Sequence, residues 1–62
     1  MTLHRILSAE QVQVGDTVVH QDCRYQVTYI ESERLGKELY LRSNQGDKAL
    51  FVGDADSLVL EI

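Results

Sequence analysis

Residues 23–52 read CRYQVTYIESERLGKELYLRSNQGDKALFV, and this stretch decides the fold. Apolar and polar side chains alternate along three segments of it, which is the pattern of β-strands that bury one face. Two short breaks, at residues 34–36 and 45–46, each contain a glycine and have the length of a hairpin turn. Three antiparallel strands are therefore predicted, at residues 23–33, 37–43 and 47–52.

The flanking segments add a strand on either side of this hairpin pair. Gly15-Asp16 is typical of a tight turn, and it precedes a predicted strand at residues 17–20. A last alternating segment predicts a strand at residues 57–62. We therefore expect an all-β fold in which five short strands close into one small barrel, because closure removes exposed strand edges.

The N-terminal segment, residues 1–11, does not alternate in this way. Ser8 followed by Gln11 fits a capping box, so we expect a short helical turn or an extension before the barrel. Residues 1–62 are expected to form a single domain, because a chain of 62 residues can bury only one thin core. Such a core often needs further support, and oligomerisation is the expected form of it.

Cysteine content and hydropathy indicate where in the cell we expect the protein. The single cysteine, Cys23, cannot form an internal disulfide, which favours a reducing, cytoplasmic setting. Residues 49–52 form the longest wholly apolar run, which is far shorter than a membrane span. Residues 1–7 lack the long apolar stretch of a signal peptide.

The expected strand registers follow from the two hairpin loops. A three-residue first loop places Glu33 opposite Lys37 and therefore Ile30 opposite Tyr40. A two-residue second loop then places Tyr40 opposite Phe51. One face of the sheet becomes the predicted core, and it comprises Tyr25, Val27, Tyr29, Leu39, Leu41, Leu50 and Val52.

The opposite face of the predicted sheet holds an unexpected apolar row. A β-bulge is predicted at Tyr29-Ile30, where two apolar residues interrupt the alternation. Contiguous apolar surface opposite a core is typical of a contact site. A three-residue second loop would exchange the last member of the row, but the row would stay apolar. The predicted protein-contact surface comprises Ile30, Tyr40, Phe51 or Leu50, the flanking Arg42, and Leu35 at the hairpin tip.

Three interpretations of this row stay open at the level of sequence. Leu3, Ile6 and Leu7 of the N-terminal segment can fold over it. The curvature of a barrel can bury both ends of a bent strand. The row can also contact another molecule, either a second copy of the chain or a different protein.

Charge argues against nucleic acid as the main partner. Ten acidic and six basic residues give a formal net charge of −4, whereas non-specific binding depends on neutralising phosphates with Lys and Arg. The alternative hypothesis of a nucleic-acid contact relies on Tyr40 for base stacking and on Arg24, Arg42 and Lys48 for phosphates.

Residues that could perform chemistry do not form a recognisable constellation. His20, Asp22 and Cys23 are close in sequence, but zinc sites usually need four ligands and only the distant His4 could add one. The carboxylate pairs at residues 31 and 33 and at residues 54 and 56 have no apparent pocket that would shift their pKa values. We therefore expect no metal, no cofactor and no enzymatic activity.

The stretch Val-Gln-Val-Gly-Asp-Thr-Val-Val at residues 12–19, followed by an aromatic-x-Val-x-x-Ile strand at residues 25–30, resembles the opening of SH3-like barrels of the KOW and Tudor-like kind. Residues 14–20, with Ile30-Glu31 and residues 38–42, more narrowly resemble the RNA-polymerase-interacting domain of CarD-type transcription factors. That resemblance implies a Tudor-like barrel that grips a polymerase subunit with a sheet edge and face. The proline and the Gly-x-Gly pair of that family are replaced here by residues 21–24.

The type II dihydrofolate reductases are SH3-like barrels of similar size with a similar Gly-Asp turn. Their active pore depends on a Val-Gln-Ile-Tyr strand, where this chain has Ala-Leu-Phe-Val at residues 49–52. The expected function is therefore that of a non-enzymatic binding or regulatory module that acts through protein contacts. An enzyme assembled at an oligomer interface is the least favoured alternative.

Overall fold

The computed structural model describes residues 3–61, and these residues contain six β-strands and no helix. The strands form one antiparallel sheet in the order β1-β6-β2-β3-β4-β5. The expectations for residues 1, 2 and 62 lie outside the described residues. The strands are β1 (His4–Ser8), β2 (Thr17–His20), β3 (Cys23–Glu33), β4 (Gly36–Ser43), β5 (Gly46–Gly53) and β6 (Ser57–Glu61).

The prediction of an all-β fold is confirmed, but the prediction of five strands is wrong. The sixth strand, β1, pairs with β6 at the far end of the chain, so that Ile6 lies opposite Val59 and Leu7 opposite Leu58. Local alternation could not reveal this strand, because its partner is distant in sequence and Ile6 and Leu7 are adjacent apolar residues.

The predicted N-terminal helical turn is a chain reversal after β1. The Gln11 amide donates to the Ser8 carbonyl oxygen over 3.1 Å, and the Ser8 amide donates to Oε1 of Gln11 over 3.0 Å. The second of these contacts is one of the two that a capping box makes. Here it closes a single turn, and Ala9 within that turn is fully buried.

The sheet does not close into a barrel within the described residues, since β1 and β5 each pair on one side only. A cleft of about 550 Å³ separates the C-terminal half of β5 from β2 and β6. Residues 54–56 connect β5 to β6, and the Gly53 amide donates to Oδ2 of Asp56 over 3.2 Å in this connection. The described chain contains no helix that could serve as a membrane span.

One face of the sheet forms the core, largely as predicted. Val27, Leu39, Leu41 and Val52 are buried, while Tyr25 and Leu50 pack against them. The prediction that Tyr29 belongs to the core is wrong, because its side chain is 56% exposed. The remaining buried hydrophobic residues come from the N-terminal third and from β6, and they are Leu7, Ala9, Val12, Val18 and Leu58.

The first hairpin has a two-residue loop, and the predicted register is wrong by one residue. Glu33 lies opposite Gly36, and consequently Ile30 lies opposite Leu39 and Tyr29 opposite Tyr40. A β-bulge is present, but it falls between Val27 and Tyr29, one residue earlier than predicted. Ile30 therefore points to the core, and Tyr29 takes its place on the outer face.

The second hairpin also has a two-residue loop, formed by Asn44 and Gln45 instead of Gln45 and Gly46. Its register is offset by two residues from the prediction, so Leu39 lies opposite Leu50 and Glu38 opposite Phe51. An even offset preserves the two faces of a strand, because side chains alternate with a period of two. The predicted division between core and outer face therefore holds for β4 and β5.

The turn between β2 and β3 has a strained backbone. Gln21 and Asp22 have φ values of 52° and 64°, the left-handed region required at both centres of a type I′ hairpin turn. Residues with a Cβ pay roughly 1–2 kcal/mol for this conformation, although aspartate tolerates it better than most.

We expect Asp22→Gly to stabilise the protein by about 0.5–1 kcal/mol, since relief of left-handed strain exceeds the entropy that glycine loses on folding. Urea unfolding followed by circular dichroism measures the change. Asp54→Gly is the matched control, because Asp54 lies in a turn without a positive φ. Equal changes in the free energy of unfolding for the two substitutions would contradict backbone strain at Asp22.

Candidate protein-contact surface

The outer face of β3, β4 and β5 presents three aromatic side chains, Tyr29, Tyr40 and Phe51, which we call the aromatic patch. Tyr29 and Tyr40 lie opposite each other on β3 and β4, with ring centroids 5.6 Å apart and planes tilted by 48°. Phe51 lies on β5 opposite Glu38, one strand further across. Tyr29 is 56% and Phe51 50% exposed, so the patch offers aromatic surface to solvent.

The bulge in β3 places Tyr29 on this face. Val27 is buried opposite Leu41, and the next two side chains, Thr28 and Tyr29, are both exposed. The Thr28 hydroxyl donates to the Tyr40 carbonyl oxygen over 3.1 Å, which ties the bulged residue to β4. Two consecutive exposed residues are a consequence of the extra residue that a bulge inserts.

A glycine beneath Phe51 sets the position of its ring. Gly36 is buried, and a Cβ added there would lie 2.8 Å from Cζ of Phe51 and 2.7 Å from Cα of Gly53, and it would overlap the Val52 carbonyl oxygen. The ring of Phe51 therefore occupies space that any other residue at position 36 would fill. Leu35, at the tip of the same hairpin, is 69% exposed.

The structure brings together part of the predicted contact surface. Tyr40, Phe51 and Leu35 lie where the sequence places them, on the outer face or at the hairpin tip. Ile30 does not, because it packs against the core from the opposite face. Leu50, the alternative to Phe51 in the row, also lies on the core face, where a two-residue second loop places it. Arg42 is on the outer face, where its Nε lies 3.6 Å from Oδ1 of Asp47.

The N-terminal segment does not cover the patch within the described residues. β1 lies beside β6, at the sheet edge opposite to β5. Leu7 is buried in the core, whereas Leu3 is exposed and Ile6 is 71% exposed. Of the three interpretations open at the level of sequence, the one that covers the row with Leu3, Ile6 and Leu7 is therefore wrong.

Three carboxylates border the patch, and sequence reasoning did not assign them to it. Carboxylate oxygens of Glu31, Glu33 and Glu38 lie within 4.8 Å of one another. Neither of the two ion pairs found among residues 3–61 involves them. The alternation of Tyr29, Glu31 and Glu33 on one strand was the available signal, and the wrong bulge position concealed it.

The carboxylates act on the adjacent tyrosine. The Tyr40 hydroxyl donates to Oε1 of Glu38 over 2.9 Å. This hydrogen bond, the negative charge of Glu38, partial burial, and then the charges of Glu31 and Glu33 raise the pKa of Tyr40 above its usual value of 10.0. Each of these effects favours the neutral phenol over the phenolate.

Because the pKa of Tyr40 is raised in the folded protein, its neutral form stabilises the fold. This stabilisation is complete below the unfolded-state pKa, and it is lost as pH rises through the folded-state pKa. We expect stability to fall less steeply with pH above about 10 in Tyr40→Phe than in the unchanged protein. Urea unfolding at a series of alkaline pH values measures both slopes. If the free energy of unfolding fell equally steeply with pH in both proteins, a raised pKa of Tyr40 would be contradicted.

The residues of the nucleic-acid hypothesis do not form one basic surface. Nη1 of Arg24 lies 3.1 Å from Oε1 of Glu61, and Arg42 lies beside Asp47. Lys48 extends over the ring of Tyr25, with Nζ 4.9 Å from the centroid, on the core side of the sheet. Tyr40 therefore shares a face with two partnered arginines but not with Lys48.

Potential metal ligands within residues 3–61 form one cluster, the three carboxylates of Glu31, Glu33 and Glu38. Glu31 and Glu33 are exposed and Glu38 is half-buried. A cation such as Ca²⁺ takes six to eight oxygen ligands, more than the three that one oxygen from each carboxylate supplies. His20 and Cys23 lie opposite each other at the end of the β2–β3 hairpin, and Cys23 is a half-buried free thiol.

No protein-family model matches the chain, and no curated protein or solved structure shows significant similarity to it.

Proposed function

We propose that this protein is a small, non-enzymatic binding module that contacts a partner protein through the aromatic patch. The observation that carries the proposal is the solvent exposure of Tyr29 and Phe51 on the same outer face as Tyr40. Aromatic residues are enriched at the centres of protein interfaces, where burial of their large apolar area favours association. A charged rim around such a centre is typical of these surfaces.

An SH3-like barrel is the architecture that we propose for β2 to β6. In the order β6-β2-β3-β4-β5, strands β6 and β5 are four places apart, which corresponds to about 19 Å in a flat sheet. Only residues 54–56 connect them, and a link of this length spans at most about 14 Å. The sheet must therefore curl until its ends approach each other, as the strands of a small barrel do.

A different protein is favoured over a second copy of this chain. Two copies that met through the aromatic patch would bring the carboxylates of Glu31, Glu33 and Glu38 of both copies into one interface. Like charges in contact oppose association, and they suppress wrong partners at interfaces. The resemblance to CarD-type domains makes a subunit of RNA polymerase one class of partner to look for.

Site-specific photo-crosslinking in the source cell tests the proposal. We expect a photoreactive phenylalanine analogue at position 51 to capture a partner, because that position is apolar and half-exposed on the patch. The same analogue at position 14 is the matched control, since Val14 is similarly exposed but lies in the β1–β2 connection.

Capture from position 51 should be lost when Tyr29→Ser is added, because this substitution removes aromatic surface from the same face. Identification of the captured protein by mass spectrometry completes the test. Equal capture from positions 14 and 51, or capture that survives Tyr29→Ser, would contradict a contact through the patch.

A further inference from the structure

We propose that the partner docks on the aromatic patch with a cationic segment, whose arginine or lysine side chains lie over the tyrosine rings and point toward the bordering carboxylates. This inference rests on the proposed function and names the chemistry of its partner. It follows from charge complementarity across one face of the sheet.

Negative charge on this face lies next to the tyrosines. Glu31 and Glu38 lie directly opposite each other on β3 and β4, immediately beside the opposed pair of Tyr29 and Tyr40. Like charges directly opposite each other destabilise a strand pair. Glu33 lies on the same face two residues further along β3, so three negative charges concentrate between the tyrosine pair and the tip of the first hairpin, with Phe51 beside Glu38.

No cation among residues 3–61 forms an ion pair with these carboxylates. The ion pairs of residues 3–61 use Glu61 and Asp47, which lie at the other end of the sheet. A positively charged partner would relieve the repulsion between the carboxylates and would gain three acceptors for charge-assisted hydrogen bonds.

Exposed aromatic surface lies next to the carboxylates. An arginine or lysine that lies over a tyrosine ring of the patch comes within reach of the adjacent pair of Glu31 and Glu38, and the negative face of the ring attracts cations. The chain already shows this contact elsewhere, where Nζ of Lys48 lies 4.9 Å from the centroid of the Tyr25 ring. Arginine is the better fit, because its planar guanidinium can stack on a ring while it binds carboxylates in a bidentate manner.

Other occupants fit this face less well. A second copy would present the same three carboxylates, and a nucleic acid or a phosphopeptide would add further negative charge. A purely apolar segment would desolvate the carboxylates without giving them a partner, which is costly. A cationic segment satisfies both the rings and the charges.

A titration with a short peptide tests the inference. The probe is an amidated octapeptide that alternates arginine and glycine, added to isotopically labelled protein at physiological ionic strength. We expect chemical-shift changes to centre on Tyr29, Tyr40 and Phe51. A peptide of the same design with lysine should bind more weakly, and one with glutamate should not bind.

Two triple variants separate a specific site from general attraction to an acidic protein. Glu31→Gln, Glu33→Gln and Glu38→Gln together should weaken binding of the arginine peptide about tenfold, since each exposed charge pair and cation–π contact is individually weak. The matched control neutralises three carboxylates in turns outside the patch. It combines Glu10→Gln, Asp16→Asn and Asp22→Asn, and it makes the same change in formal net charge, from −4 to −1.

An equal loss of affinity in both variants, shift changes spread over the whole acidic surface, or no binding of the arginine peptide would overturn the inference. These outcomes are distinguishable from failure of the proposed function. If photo-crosslinking from position 51 captures a partner whose capture is unchanged by the Glu31, Glu33 and Glu38 substitutions, the contact surface stands and its cationic specificity fails. If the peptide binds at the patch but no partner is captured, the specificity stands and the cellular function fails.

Discussion

Replacement of Gly36 by valine is expected to destabilise the protein by about 3 kcal/mol, because the new side chain has no space to occupy. An added Cβ would overlap the Val52 carbonyl oxygen and lie 2.8 Å from Cζ of Phe51. The obstacle is mostly backbone of the paired β5 strand, so relief requires separation of β4 from β5 at this point. Thermal unfolding followed by circular dichroism measures the loss.

Gly46→Ala is the matched control for this prediction. Gly46 has a φ of 125°, but a Cβ there would meet nothing within 4 Å. The control should therefore cost only about 1 kcal/mol, through backbone conformation alone. A Gly36→Val protein that is no less stable than Gly46→Ala would show that β5 does not pack over position 36 as described.

Leu39→Ala is expected to cost about 2–5 kcal/mol, which is the range for truncation of a fully buried leucine. Leu39 has no exposed surface, and it lies opposite Ile30 on one side and Leu50 on the other. A domain of this size is stable by only about 3–9 kcal/mol, so the variant should lose a large fraction of its stability.

Urea unfolding compares this variant with Leu35→Ala, the matched control at an exposed position. Leu35 is 69% exposed, and its truncation should change stability by less than about 0.5 kcal/mol. If both variants lost equal stability, the assignment of Leu39 to the core would be wrong.

The strands of this fold were predictable because their signals are local. Alternation between Cys23 and Val52, and the glycines near each turn, place β3, β4 and β5 to within one residue at each end. The strand β1 was not predictable in this way, because its only partner is β6, about fifty residues away. Closure of the barrel was inferred from the short strands and from the advantage of removing exposed edges, and neither determines how far a sheet curls.

The contact surface was predictable only in part, because its composition depends on register. The parity of β4 and β5 was correct, so Tyr40 and Phe51 were assigned to the outer face. The choice between Tyr29 and Ile30 depended on the length of the first loop and on the position of the bulge. Both residues are large and apolar, so hydrophobic pattern could not decide between them. Glu31 and Glu33 were missed as a consequence of the same choice, because they share the face of Tyr29 on β3.

The bulge at Thr28 also determines how this strand can vary in length. Tyr29 already lies opposite Tyr40 and Val27 opposite Leu41, so Thr28 is the one residue between Gln26 and Glu33 without a partner on β4. A chain one residue shorter at this point would keep every other side chain of β3 on its present face, in an unbroken ladder. Deletion of Gln26 instead would move each side chain at the start of β3 to the opposite face of the sheet. Evolutionary deletions in β3 should therefore be tolerated at Thr28 and selected against on its N-terminal side.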